Sequence, residues 1–431
     1  VTGESSTAPD RTESELASFI PFRKRSVVEM CAGDLPDDER ESFVAFTELL
    51  ASLLHHEFRG RLETIKDAYQ PFNPDTDVRT VTEPSPEERQ EAQRRLADEL
   101  SALAVAANFE QIDDEDLERA FVEESLMKVR LEADFDDFEQ VVFYRRGEHK
   151  RTEEIKKLFG LRKKSLTFTN YGKVLMYVKF KDAAHFEAQG RKPDDLPFTP
   201  ESTIIKLFQN VPSADLEMLF PNARVKMRPI DKLLIGVPAV ISGVIMVVTK
   251  LLAALLPVLL LLGFWLGVRD EPVSLNEGQL LALAAGLMAF GGFLFRQFGK
   301  FKNRKMEFMK ALSENLYFRN LDNDAGVFHH LLDAAEEEEV KEAVLAYHFL
   351  RIAEGPLEAG ELDRRIETWF AEKWDARFDF EVEDGVGKLR RMELVDVDPQ
   401  DRLTAVSLDE AKRRLDETWD NLFSYNAPAR A

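Results

Sequence analysis

The chain has a single cysteine, Cys31, among 431 residues, which excludes an intrachain disulfide and any cysteine-rich metal centre. It is also poor in positive charge: 57 Lys and Arg stand against 79 Asp and Glu, for a net charge of −22. That balance argues against general attraction to nucleic acid or to anionic surfaces. The phosphate-cradling G-x-x-x-x-G-K-[ST], the dinucleotide glycine pattern and the G-x-S-x-G elbow are all missing, so three common routes to enzyme chemistry have no motif to rest on. No cofactor is expected. The opening residues, VTGESSTAPDRTESELAS, carry no apolar run of the secretory type, and any membrane insertion would have to rely on internal segments.

What the chain does have is apolar sequence in its middle. The run LLAALLPVLLLLGFWLGV at 251–268 holds 18 residues without a charge, and as a helix it would reach about 27 Å, close to the thickness of a bilayer core. A second run, LLALAAGLMAFGGFLF at 280–295, follows a polar link. Together they predict a two-helix transmembrane hairpin over 233–296, with 233–249 lying at the interface or extending the first helix. Lys250 and Trp265 are expected at the interfaces, and Arg296, Lys300, Lys302, Arg304 and Lys305 follow the second run as further anchors. Both basic flanks then lie on one side. The positive-inside rule makes this an integral, multi-pass membrane protein with both termini cytoplasmic, in a bacterial inner membrane or the equivalent organelle membrane.

Periodicity divides the rest. Residues 1–18, rich in Ser, Thr, Glu and Pro, read as a disordered tail. Residues 19–232 read as an N-terminal α+β cytoplasmic domain, helices first and a small antiparallel sheet after. Phe43, Phe46, Leu49, Leu50, Leu53 and Leu54 recur at helical spacing, and Ser85 before Pro86 marks a helix start. Val174, Met176, Val178 and Phe180 alternate as in a strand. Residues 297–339 form a basic juxtamembrane helix and linker. Residues 340–431 have a winged-helix-like order of helices, two short strands about an Asp-Pro turn, and a closing helix. Winged helices often bind DNA, but this stretch has 14 Lys and Arg against 21 Asp and Glu, so protein contact is favoured over nucleic acid.

The segments STIIKLFQNVPSADLEMLFPNARVKMRPIDKLLIGVPAV and FRQFGKFKNRKMEFMKALSENLYFRNLDNDAGVFHHLLDAAEEEEVKEAVLAYHFL, with the opening FIPFRKRSVVEM, resemble an uncharacterised membrane-protein family, a domain of unknown function, that includes transmembrane protein 143. The resemblance implies paired spans and supplies no reaction and no catalytic residues.

Candidate chemistry is thin. His330, Asp333 and Glu337 would share one face of a helix at i, i+3 and i+7, a spacing that suits a metal, against the plainer reading of a solvated acidic face around Glu336–Glu339. Asp75-Thr76-Asp77 has the D-x-D form of some phosphatases but no apolar strand before it, and His55, His56 and His149 read as surface residues. The sequence therefore favours a membrane-anchored, non-catalytic interaction or adaptor protein, with the lipid bilayer and a protein partner of the C-terminal domain as its contacts. A membrane-associated enzyme, hydrolase-like or metal-dependent, and an oligomeric ion or solute pathway are the alternatives, and homo-oligomerisation is left open.

Overall fold

Apolar residues three and four apart set the first layer of the fold. The structure is a computed structural model that describes residues 18–74, 82–113, 115–117, 130–157, 162–226, 240–242, 244–245, 259, 262–268 and 277–423. The predicted tail, 1–17 of it, and the Asp75-Thr76-Asp77 motif lie outside these residues. Helix α1 (Lys24–Gly33) buries Val27, Cys31 and Ala32. Helix α2 (Asp37–Tyr69) starts after Pro36 with Asp37, Asp38 and Glu39 in its first turn, where carboxylates meet the positive pole of the helix. Helix α3 (Pro86–Ala106) begins with a reciprocal cap: the Ser85 hydroxyl accepts from the Glu88 N–H, and the Glu88 carboxylate accepts from the Ser85 N–H.

A five-stranded antiparallel sheet follows, in the order β1-β3-β4-β5-β7. Its strands are β1 (Glu110–Gln111), β3 (Phe138–Lys157), β4 (Arg162–Phe180), β5 (Thr203–Pro212) and β7 (Asn320–Asn323). Strands β3 and β4 pair from Phe138↔Phe180, shift register once between Phe138 and Gln140, and then stay in register from Gln140↔Lys179 to Lys157↔Arg162. Only the half of β4 from Asn170 to Lys179 also pairs with β5. Helix α4 (Ala183–Ala188), capped by the Asp182 carboxylate, lies between β4 and β5.

After β7 comes helix α6 (Ala325–Ile352), on which the rest is built. It is followed by α7 (Ala359–Trp374), α8 (Val382–Arg391), a small hairpin of β8 (Val395–Val397) and β9 (Leu403–Ala405), and α9 (Leu408–Asp420). Leu357, ahead of α7, bridges to Leu403. Residues 340–350 of α6 are buried on every side, the mark of a helix enclosed by other elements rather than lying on a surface.

The chain divides into two compact units, residues 1–123, 135–216 and 319–431 in one and 124–134 and 217–318 in the other. The first holds two apolar cores. In one, the start of α2 (Phe43, Phe46, Leu50) and the end of α6 (Val344, Tyr347, Leu350) pack with α1, α7, α8, the β8-β9 hairpin and α9. In the other, the end of α2 (Phe58, Ile65, Tyr69), α3 and the start of α6 (Phe328, Leu331, Ala335) cover the sheet face at Tyr144, Leu175, Tyr177 and Ile205. The last ninety residues thus share a core with the first helices, and α6 runs unbroken through the 339/340 boundary drawn from the sequence. The second unit contains a two-stranded pair, β2 (Arg130–Glu132) with β6 (Arg224–Lys226), and helix α5 (Glu277–Arg319).

The described residues do not form the expected transmembrane hairpin. Among the described residues no helix is long and apolar enough to cross a membrane. The apolar part of α5, 280–295, has 16 residues and would reach about 24 Å, short of a bilayer core, and the helix then runs on through charged sequence. Most of the first expected span and of 233–249 lies outside the described residues. The finding overturns the transmembrane fold class, the multi-pass membrane character and the integral-membrane location with cytoplasmic termini. What stands is a mixed α/β chain with a five-stranded antiparallel sheet.

Candidate functional site

The two cores of the first unit meet along α6 at the run Glu336-Glu337-Glu338-Glu339-Val340-Lys341-Glu342. A consecutive acidic run on a helix is usually solvated, yet Glu338, Lys341 and Glu342 are each only 2% exposed. Buried charges persist where they are paired and hydrogen-bonded, and these are. Arg146 of β3 donates to Glu338 at 2.6 Å, and Lys341 donates to the same carboxylate at 2.9 Å. One turn further along α6, Lys388 of α8 lies 2.6 Å from Glu342 and 2.9 Å from Glu339. Burial drives both ends of that pair toward their neutral forms. It pulls Lys388 down to about 7, with Arg391 adding to the effect, and it raises Glu342 well above the usual carboxylate range, with the charges of Asp384 and Glu338 adding to it.

The same layer holds the main chain of residues 18–24. The Ile20 N–H donates to Glu338, and Lys341 donates to the carbonyls of Ile20 and Phe22 at 2.8 and 3.1 Å. Asn108, just past the end of α3, donates to the Ser18 carbonyl. The Lys24 N–H donates to Glu337 at 2.9 Å, and its ammonium pairs with Glu336. The Arg146 guanidinium lies over the Phe19 ring, and Phe22 stacks on Phe370 of α7. Beside this segment opens a cleft of about 400 Å³ lined by Arg23, Lys24, Arg25, Ser26, Asp333, Glu336 and Glu337. A second hollow of about 670 Å³, around Pro193, Phe198 and Pro200, lies in the connection between β4 and β5.

The sequence-derived metal candidates are separated by their partners. His330 faces Asp322 of β7 at 3.0 Å, Glu337 is held by Lys24 and Arg23, and Asp333 lines the cleft. Among the described residues no group of three or more His, Cys, Asp or Glu side chains is arranged to hold a metal ion. His55 contacts Glu336 at 2.8 Å, His149 contacts Asn170, and His56 meets the edge of Phe423. Of the residues expected as anchors, Trp265 is 82% exposed, and Arg296, Lys300 and Lys302 are exposed on α5. Arg304 and Lys305 also belong to α5, and Lys250 lies outside the described residues.

Sequence reasoning missed Arg146, Glu338, Lys341, Glu342 and Lys388. One signal was available: the apolar residues that follow on α6 leave no free face, so charges inside that helix had to find partners within the fold.

A third arrangement involves the outer side of α7 and α8. Asp363 and Glu367 of α7, Asp379 and Glu381 of the connection, and Asp384 of α8 form a cluster of carboxylates whose charges act on Asp363 and Glu381. Asp363 is pushed up to about 6 by burial and by the charges of Glu367 and Asp379. Burial and neighbouring carboxylates also raise Glu381 and Asp384. Lys388, on the same helix, is turned inward to α6.

No solved structure matches the chain. Residues 171–326, from within β4 to the first turn of α6 and just over a third of the chain, match the family described as Protein of unknown function (DUF3754).

Proposed function

We propose that the protein is a non-catalytic interaction protein whose C-terminal residues, 340–431, receive the basic face of a protein partner. The observation that carries this reading is the carboxylate cluster formed by Asp363 and Glu367 of α7, Asp379 and Glu381 of the connection and Asp384 in the first turn of α8. The order helix (end of α6), bridging strand (Leu357), helix, helix, hairpin supports a winged-helix reading, and in that order α8 takes the position that reads the major groove in DNA-binding relatives of the architecture. Here its buried cation, Lys388, is spent on α6, Arg390 and Arg391 of its last turn pair with Asp401 and Glu57, and Glu383 and Asp384 of its first turn are exposed. That first turn, the part that would approach a duplex, is acidic and would be repelled by phosphate. Carboxylates that already repel one another gain most from an incoming cation, so Lys or Arg side chains of a partner protein are the complement. The reading also groups the chain with the family that includes transmembrane protein 143, on the segments quoted above, which overlap the matched residues.

The test is parallel affinity purification of the full chain, of the charge-reversed Asp379→Lys/Glu383→Lys/Asp384→Lys variant, and of an Asp396→Lys/Asp416→Lys control, with a labelled DNA duplex as competitor. Partners should bind the wild type and the control and be lost by the reversed variant. Retention should also weaken from pH 7 to pH 5 as Asp363 takes up its proton. An unchanged set of partners, or preferential retention of the duplex, would count against the reading.

A further inference from the structure

Residues 18–24 are held in the way a bound peptide is held. Their main-chain groups meet side chains of other elements: Glu338 accepts from Ile20 N–H, Lys341 reaches the carbonyls on both sides of Pro21, Asn108 reaches the Ser18 carbonyl, and Glu337 accepts from Lys24 N–H. Pro21 brings no N–H, so the segment has one main-chain donor fewer to satisfy. The side chains fill separate seats. Ile20 is buried, Phe22 lies against Phe370, and Phe19 lies under Arg146 and against Gly147, where an added Cβ would come within 3.2 Å of the ring. Gly147 also has a φ of +70°, which favours glycine, so backbone conformation and the space for Phe19 call for the same residue.

Two features set this apart from ordinary core packing. A permanent contact could be built from apolar groups with equal or greater stability, whereas buried charges aimed at main-chain atoms select for a segment of defined register. The groove also does not end with the segment. Beyond Lys24 it opens into the cleft of about 400 Å³, whose wall carries Asp333, Glu336 and Glu337. Glu337 and Glu336 already pair with Arg23 and Lys24, so the chemistry of the open end matches a peptide that continues with basic residues.

We propose that the groove bounded by α6, β3 and α7 is a peptide-recognition site that the chain's own residues 18–24 occupy, and that the partner it fits is a peptide of aromatic–aliphatic–proline–aromatic pattern followed by two basic residues. Binding in trans requires displacement of the internal segment, which makes that segment an autoinhibitory contact. The inference does not rest on the acidic outer side of α7 and α8.

The probe is the fluorescein-labelled peptide Ser-Phe-Ile-Pro-Phe-Arg-Lys, the sequence of residues 18–24, read by anisotropy against the full chain. It should bind the Phe19→Ala/Phe22→Ala chain at least tenfold more tightly than the wild type. The added substitution Lys341→Met should abolish that binding, and a scrambled peptide should not bind. A variant with native circular dichroism that fails to bind, or binding that survives Lys341→Met, would overturn the proposal. The wild-type chain gives a second readout that needs no substitution: excess peptide should speed hydrogen exchange at the Ile20 and Lys24 amides. Unchanged exchange with peptide in large excess would overturn it equally.

Discussion

At the scale of single residues, the most exposed consequence of the packing is His348. It is fully buried on α6, its ring lies edge-on to Phe43 and Phe349, and neither ring nitrogen has a hydrogen-bond partner among the described residues. Burial pulls its pKa down to about 4. The charge of Asp34 opposes that shift, and Arg351 and Lys373 reinforce it. The ring is therefore neutral in the folded chain at a pH where the unfolded chain is already protonated. Between about pH 6.5 and 4 the unfolded state binds the extra proton, so stability falls as the pH falls through that window. At pH 4.5 the loss should be about 2–3 kcal/mol relative to pH 7. Urea unfolding of the wild type and His348→Phe at both pH values checks this: the variant should lack that part of the loss, and equal losses would refute it. Cys31 is silent by comparison, because burial pushes its thiol up and keeps it protonated. Residue-level reading of the sequence failed most clearly at Glu336–Glu339. Four acids in a row resemble a solvated face, and nothing local shows that Arg146, 190 residues earlier, and Lys388, on another helix, come to meet them.

At the scale of elements, the contact of α8 with α6 is made by a missing side chain. A Cβ on Gly385 would sit 2.9 Å from the Glu342 carbonyl oxygen and 3.3 Å from the Ala346 methyl. Gly387, two residues on, has open space in that direction. Alanine is the better helix former by roughly 1 kcal/mol, and overpacking against backbone costs about 1–3 kcal/mol, so the two glycines should respond with opposite signs. Gly385→Ala should lower the urea midpoint by pushing α8 away from α6, and Gly387→Ala should raise it slightly. A neutral Gly385→Ala would mean that the helices do not pack as described. Elements were more legible than single residues because their signals are local. Phe43, Phe46, Leu50, Leu53 and Leu54 all lie on the buried side of α2, and Ser85 makes the reciprocal cap its spacing implies. The length of the β3-β4 hairpin was not legible, since its outer half carries Lys150, Arg151 and Thr152 in exposed positions and shows no apolar alternation. Strand β7 was hidden for a different reason: Asn320-Leu-Asp-Asn323 joins the sheet only through pairing with β5, a contact more than a hundred residues away in sequence.

At the scale of the whole molecule, apolar length misled. The runs at 251–268 and 280–295 looked like paired spans, but no described helix is long and apolar enough for that role, and composition alone gave no warning. The first unit presents the reverse case. Its 92 final residues carry a pattern of their own, yet they complete a core begun by α1 and α2, because residues 340–350 of α6 cannot be enclosed by the C-terminal helices alone. Helices α2 and α6 each pass from one core into the other, and the charged layer around Glu338 and Lys341 lies where the cores meet. If that layer joins them, removing one buried partner should weaken both by about 3 kcal/mol or more. The direct measurement is native-state hydrogen exchange of the full chain across a urea series, followed in peptides covering 325–335 and 340–352, for the wild type and Lys341→Met. The expected result is one opening free energy and one urea dependence at both ends of α6, lowered equally by the substitution. Separate openings at the two ends, or a loss confined to 340–352, would contradict it.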